Sequence, residues 1–179
     1  ATVNEPFEVF STDFDDNGTN DIVLGYHNNQ NLYPLRGREC SSNQMPFIKE
    51  KFPTYNAFGS ASLTEVYGKE KLDNALHLKA YNFASVYLEN LGNGQFKTIQ
   101  LPNKAQFSSI NDILIIDYDN DGLKDILVAG NMYQSEVETT RNDASYGLLL
   151  KNMGNTNFEV VPAKKSGIIL KGMVKSLHT

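Results

Sequence analysis

Eight of the eleven aspartates in this chain fall in two short segments, Thr12–Tyr26 (TDFDDNGTNDIVLGY) and Ile116–Asn131 (IDYDNDGLKDILVAGN). Aligned on Asp13 and Asp117, both carry oxygen-bearing side chains at positions 1, 3, 5 and 9. These are Asp13, Asp15, Asn17 and Asp21 in the first segment and Asp117, Asp119, Asp121 and Asp125 in the second. A glycine, Gly18 or Gly122, holds position 6, where the chain can turn sharply. Alternate side chains of a tight loop can point inward, and position 7, Thr19 or Leu123, can add its backbone carbonyl. Such a set of oxygens suits a hard cation, calcium in particular. Neither loop contains His or Cys, which argues against zinc or copper. Gathered carboxylates also need a counter-charge, because two like charges roughly 4 Å apart repel by about 1 kcal/mol even in bulk water. The second loop has four carboxylates against three plus Asn17, so it is expected to bind more tightly; Asp16, at position 4, is expected to face solvent.

Two other readings compete. An EF-hand requires a bidentate Glu at position 12 and a following helix. Position 12 is Leu24 or Val128 here, and both loops lead into β-type sequence, Ile22–Leu24 and Ile126–Val128. An Asp-rich turn without metal is the plain reading of one such loop, but two in matching register weigh against it. A second pair of motifs follows: Tyr87–Pro102 (YLENLGNGQFKTIQLP) and Leu149–Pro162 (LLKNMGNTNFEVVP). Gly92-Asn93-Gly94 between two strand-like runs is a strong hairpin signal, since Asn and Gly tolerate positive φ. Each repeat therefore reads strand, acidic loop, strand, connection, strand, Gly-Asn turn, strand. From Asp13 to Phe96 is 83 residues, and from Asp117 to Phe158 is 41, so the first copy carries 42 extra residues. That excess, between about Leu32 and Ala75, contains helix formers over Met45–Lys51, Ala61–Tyr67 and Lys69–Lys79, broken by Pro53 and Gly68.

The motifs DFDDNGTND and DYDNDGLKD, each before a strand, with NLGNGQF and NMGNTNF, resemble the FG-GAP/VCBS repeat family, whose β-propeller blades are similar to those of integrin α-subunits. The long insertion is closer to bacterial surface members. The resemblance implies an all-β fold of four-stranded antiparallel blades with a partly helical insertion. The first blade is expected over 1–31 and 76–108, the insertion over 32–75, the second blade over 109–167 and the start of a third over 168–179. Propellers close with about 4–8 blades, so the chain is expected to be a fragment of a larger one. It would then expose blade faces and open strand edges that invite self-association. Carried over from the family, the calcium ligands are Asp13, Asp15, Asn17, the Thr19 carbonyl and Asp21, then Asp117, Asp119, Asp121, the Leu123 carbonyl and Asp125.

The rest of the chain narrows the function. A net charge of −5 with scattered basic residues offers no face for phosphate, so nucleic acid is not an expected partner. No run approaches the roughly 20 apolar residues of a membrane span. Ala1–Phe10 has neither the basic start nor the apolar block of a signal peptide, so a signal is expected to have been removed or the segment to be internal. One cysteine, Cys40, leaves no internal disulfide. His27, His77 and His178 lie outside any recognisable catalytic motif, so no enzyme is expected. Arg36 and Arg38 would either grip an acidic group or stand solvated. The rings of Phe47, Phe52, Tyr55, Phe58 and Tyr67 would either form the insertion's own core or present themselves to a partner. The expected function is a calcium-stabilised, non-catalytic interaction or adhesion module outside the cytoplasm, extracellular, on the cell surface or periplasmic, with a protein or glycan partner. The alternatives are a glycan-binding propeller and an accessory region of a larger secreted enzyme.

Overall fold

The computed structural model describes residues 1–135 and 139–179, so the expected second repeat, 109–167, includes three residues outside the described ones. The chain divides into two units, Ala1–Phe83 and Ala84–Thr179. Strands in several antiparallel sheets dominate, with short helices added.

The first unit is built on β1 (Phe7–Thr12), β2 (Asp21–Asn28), β3 (Asn31–Pro34) and β4 (Leu76–Ala80), in the antiparallel order β3-β2-β1-β4. Alternation sets its faces. Phe10 and Val23 lie opposite one another and are buried, whereas Ile22 on β2 is exposed. The β2–β3 turn places Asn29 at φ 50° and Gln30 at φ 68°, the two left-handed residues that a tight hairpin requires. Between β3 and β4 run five short helices: α1 (Arg38–Gln44), α2 (Phe47–Lys51), α3 (Tyr55–Gly59), α4 (Leu63–Tyr67) and α5 (Lys69–Asn74). Helices this short are not stable by propensity. They are held by caps, such as the Ser62–Glu65 capping box on α4, and by burial. Met45, Ile48, Phe58, Leu63, Val66 and Tyr67 form one core with Phe10, Phe14 and Val23 of the sheet side.

The second unit holds a hairpin of β5 (Val86–Gly92) and β6 (Gln95–Gln100) and a sheet of β7 (Ile110–Ile116), β8 (Asp125–Gly130), β9 (Leu148–Asn152) and β10 (Phe158–Val161). The sheet order, β10-β9-β8-β7, follows the chain as an antiparallel meander. A short helix, α6 (Ala163–Ser166), follows. All six residues of β8 are buried, which places it at the centre of the unit. Ile126 and Val128 on β8 and Leu150 on β9 share a core with Leu101 and Ala105, and Tyr87 of β5 packs against it.

Four differences from the expected organisation have physical causes. The Gly92-Asn93-Gly94 hairpin forms, but it belongs to the second unit and does not complete the first sheet. Tyr87 contacts Phe158 with ring centroids 5.3 Å apart, so its apolar side is committed to the second core. The first sheet is instead completed by β3 and β4, and the division falls at Phe83/Ala84 rather than near 108/109. The helix expected over Lys69–Lys79 ends at Asn74, because from Leu76 onward the chain pairs with β1, Phe10 opposite His77 and Val9 opposite Leu78. Finally, 168–179 forms no strand. It is tied to the second unit by single bonds, Leu170 N–H to the Tyr146 carbonyl at 2.8 Å and Val174 N–H to the Gly130 carbonyl at 3.0 Å.

Candidate metal sites

The two acidic loops have the same construction. Position 4 is left-handed in both, Asp16 at φ 60° and Asn120 at φ 59°. Position 6 is left-handed too, Gly18 at φ 86° and Gly122 at φ 88°, a conformation that suits glycine. Three hydrogen bonds recur position by position. The position 6 N–H donates to the position 1 carboxylate: Gly18 to Asp13 Oδ2 at 2.7 Å and Gly122 to Asp117 Oδ2 at 3.1 Å. The position 7 N–H donates to the position 5 side chain: Thr19 to Asn17 Oδ1 and Leu123 to Asp121 Oδ1, both at 2.8 Å. The position 2 N–H donates to the position 9 carboxylate: Phe14 to Asp21 Oδ2 at 3.0 Å and Tyr118 to Asp125 Oδ2 at 2.8 Å.

These bonds sort the expected ligands. Asp13, Asp15 and Asp21 bring carboxylate oxygens within 4.8 Å of one another, and so do Asp117, Asp119 and Asp125. Asp21 and Asp125, each the first residue of its strand, are buried. Their second oxygens are also held, Asp21 Oδ1 by the Gln44 amide at 3.0 Å and Asp125 Oδ1 by Asn152 N–H at 2.8 Å. Asn17 and Asp121 turn back onto the N–H groups of Thr19 and Leu123, and Asp121 is not among the three carboxylates that converge. Asp16 is exposed, as its even position predicts.

The convergence brings like charges close together. At 4.8 Å, each like-charged pair repels by about 1 kcal/mol in bulk water and by about 3 kcal/mol at the effective dielectric of a protein surface. Two carboxylate oxygens, Asp15 Oδ1 and Asp117 Oδ1, are buried and accept no hydrogen bond. A buried acceptor without a donor is costly, and a hard cation would satisfy both. Hydrogen bonds from Gly18 and Asn17 N–H hold the Asp13 carboxyl below the usual carboxylate range, which keeps it ionised and able to ligate.

Each loop also draws a lysine that its own sequence did not announce. Lys71 of α5 bonds the Asp13 carbonyl at 2.9 Å and the Asp16 carboxylate. Lys151 of β9 bridges Asp119 and Asp121, the latter at 3.1 Å. These carboxylates push both ammonium groups to higher pKa, Lys71 chiefly through Asp16 and Lys151 chiefly through Asp119. Lys151 sits one residue before the matching Asn152 of the second motif pair, and Lys71 lies in the insertion, so no periodic signal marked either.

The remaining singled-out groups are placed as follows. Phe58 and Tyr67 are buried in the first core and Phe47 and Phe52 pack against it, leaving only Tyr55 exposed. Tyr55 donates to Glu39 at 3.0 Å under the Arg38 guanidinium. Arg38 is a brace: its Nε donates to the Phe52 carbonyl at 2.7 Å and Nη1 to Glu39 at 2.8 Å. Cys40 is a free thiol on α1, partly buried. His27 and His77 both reach the buried Glu8, Nε2 lying 2.8 Å and 2.5 Å from its two oxygens, a pairing across three strands that the sequence does not disclose.

No family model matches the chain, and neither a curated protein nor a solved structure matches it. No helix among the described residues is long and apolar enough to cross a membrane.

Proposed function

We propose that the chain is a calcium-binding, non-catalytic interaction module of the FG-GAP/VCBS type, its two four-stranded sheets serving as propeller blades. The observation that carries this reading is the duplicated loop: three converging carboxylates in each copy, the same three hydrogen bonds and a buried, unpartnered carboxylate oxygen in each. Asp13, Asp15 and Asp21 would hold one ion and Asp117, Asp119 and Asp125 the other. Asn17, Asp121 and the Thr19 and Leu123 carbonyls complete the expected set. A bound calcium supplies positive charge and oxygen coordination, and so makes the loop rigid at the entry to β2 or β8. The role is structural, and adhesion or docking falls to the surfaces that these loops stiffen. Extracellular modules bind calcium at about 10⁻⁴–10⁻³ M, and a site of that kind fills only where calcium reaches such levels, which supports a home outside the cytoplasm.

The test is thermal unfolding in EDTA and in a calcium series. A ligand that binds only the folded state adds about 2.7 kcal/mol at a hundredfold excess over Kd. The melting temperature is expected to rise with calcium in the wild type and to stay flat in the double variant Asp15→Asn, Asp117→Asn. No rise up to about 10 mM, above the weak extracellular range, would reduce both loops to Asp-rich turns.

A further inference from the structure

The chain has two Asn-Gly dipeptides, Asn17-Gly18 and Asn93-Gly94, and both asparagines are exposed. An asparagine before glycine is prone to attack on itself, because no side chain shields the glycine nitrogen from the asparagine amide carbon. The two sites differ in what surrounds that reaction. In the β5–β6 hairpin the side-chain bond falls earlier, from Gly92 N–H to Asn90 Oδ1 at 2.8 Å, and touches neither the Asn93 amide nor the Gly94 nitrogen. In the first acidic loop both reacting groups are engaged. Thr19 N–H donates to Asn17 Oδ1 at 2.8 Å, which withdraws electron density from the amide carbon and is placed to hold the oxyanion that attack creates. Gly18 N–H, on the attacking nitrogen, donates to Asp13 Oδ2 at 2.7 Å, a carboxylate in position to accept its proton.

We propose that Asn17 is a site of spontaneous deamidation promoted by Asp13 and Thr19. The Gly18 nitrogen bonds to Asn17 Cγ, and its proton passes through the Asp13 carboxylate to the side-chain nitrogen. The Cγ–N bond then breaks and ammonia leaves, closing a five-membered succinimide. Water opens that ring at either carbonyl, to aspartate or to isoaspartate, so the net change is water in and ammonia out with no redox step. The loop accommodates the aspartyl product, since the second loop carries Asp121 at this position, making the same bond to Leu123 N–H. Deamidation to aspartate therefore converts the first loop to the four-carboxylate set of the second. The isoaspartyl product adds a backbone atom and breaks the turn. The reaction itself does not depend on the metal reading.

The experiment follows the full chain during days of incubation in EDTA at mildly alkaline pH. Proteolytic peptides containing Asn17 and Asn93 are monitored by mass spectrometry for a gain of about 1 Da, and fragmentation separates the two products. In the folded protein, Asn17 is expected to convert about a hundredfold faster than Asn93, the low end of what a positioned proton acceptor contributes. In urea the two rates are expected to converge. Asp13→Asn is expected to slow Asn17 toward the Asn93 rate. Equal rates in the folded protein, or an Asn17 excess that persists in urea, would overturn the proposal. A folded Asp13→Asn variant that deamidates at the wild-type rate would overturn the role given to Asp13.

Discussion

Lys151 stands on the carboxylates that a second-loop ion would have to share. The count of carboxylates alone, four against three, ranks the second loop as the tighter site. Lys151 is expected to reverse that order, because an ion would have to displace its bridge between Asp119 and Asp121. Lys71, by contrast, bonds the first loop at the Asp13 carbonyl and at the outward-facing Asp16 and acts on Asp13 and Asp15 only through charge, so it bridges none of the three converging carboxylates. Two outcomes follow at this scale. With the first loop silenced by Asp15→Asn, Lys151→Met is expected to raise the calcium affinity of the second roughly tenfold in a calorimetric titration, the order of effect of removing one competing charge. Asn131 answers to a different physics. It is buried at φ 85°, and its amide donates to the Ser145 and Gly172 carbonyls at 2.8 and 2.9 Å while its oxygen accepts from Ser108 Oγ and Ser145 N–H at 2.8 and 3.0 Å. Asn131→Gly keeps the left-handed backbone and removes all four bonds. It is expected to lower stability by about 3 kcal/mol or more in denaturant unfolding, since unpaired buried groups cost about 1–3 kcal/mol each.

Among the elements, the sheets explain both a buried charge and an exposed risk. Glu8 lies on β1 between His27 of β2 and His77 and Lys79 of β4. Burial alone would push its carboxyl up, but the hydrogen bonds from His27 and His77 and the charge of Lys79 outweigh burial and hold it below 4.5. A folded-state value below the unfolded one contributes stability above about 4.5, and that contribution is lost as the pH falls through the folded value. The gap in melting temperature between wild type and Glu8→Gln is therefore expected to be full near neutrality and to close in acid. Melts across the acid range check this, and a constant gap would contradict it. The edges raise a second matter. β4 and β7 are outer strands, and they carry Leu76, Leu78, Ile113 and Ile115, each more than half exposed. Open apolar edges pair with other chains. Sedimentation velocity is expected to show concentration-dependent association that Leu78→Lys with Ile113→Lys suppresses.

For the molecule as a whole, the proposed function predicts that stability depends on calcium. With a net charge of −5 and two clusters of converging carboxylates, removal of divalent ions leaves repulsion that only lysine side chains offset. Chelation is therefore expected to lower the melting temperature of the intact chain. Added magnesium is expected to restore less than calcium does, because magnesium demands stricter octahedral geometry and gives up its water reluctantly. Full restoration by magnesium, read in the same melts, would point to screening rather than a fitted site.

Much of the site was legible in the sequence because it is local. Spacing within nine residues sets which loop positions carry oxygen. Glycine at position 6 permits the left-handed turn, and Asn-Gly marks the β5–β6 hairpin. The bonds that make the two loops alike span two to seven residues, so short-range sequence determines them. Tertiary structure alone decided the partners brought from afar: Lys71 on Asp13, 58 residues away, Lys151 on Asp119, 32 away, and His77 on Glu8, 69 away. It also decided which strands complete each sheet. Turn chemistry can announce a hairpin, but where its apolar side is buried depends on which core has room for it. The Tyr87 side packed against Phe158 and the second core rather than beside β2, and Leu76–Ala80 took the open edge of β1 instead.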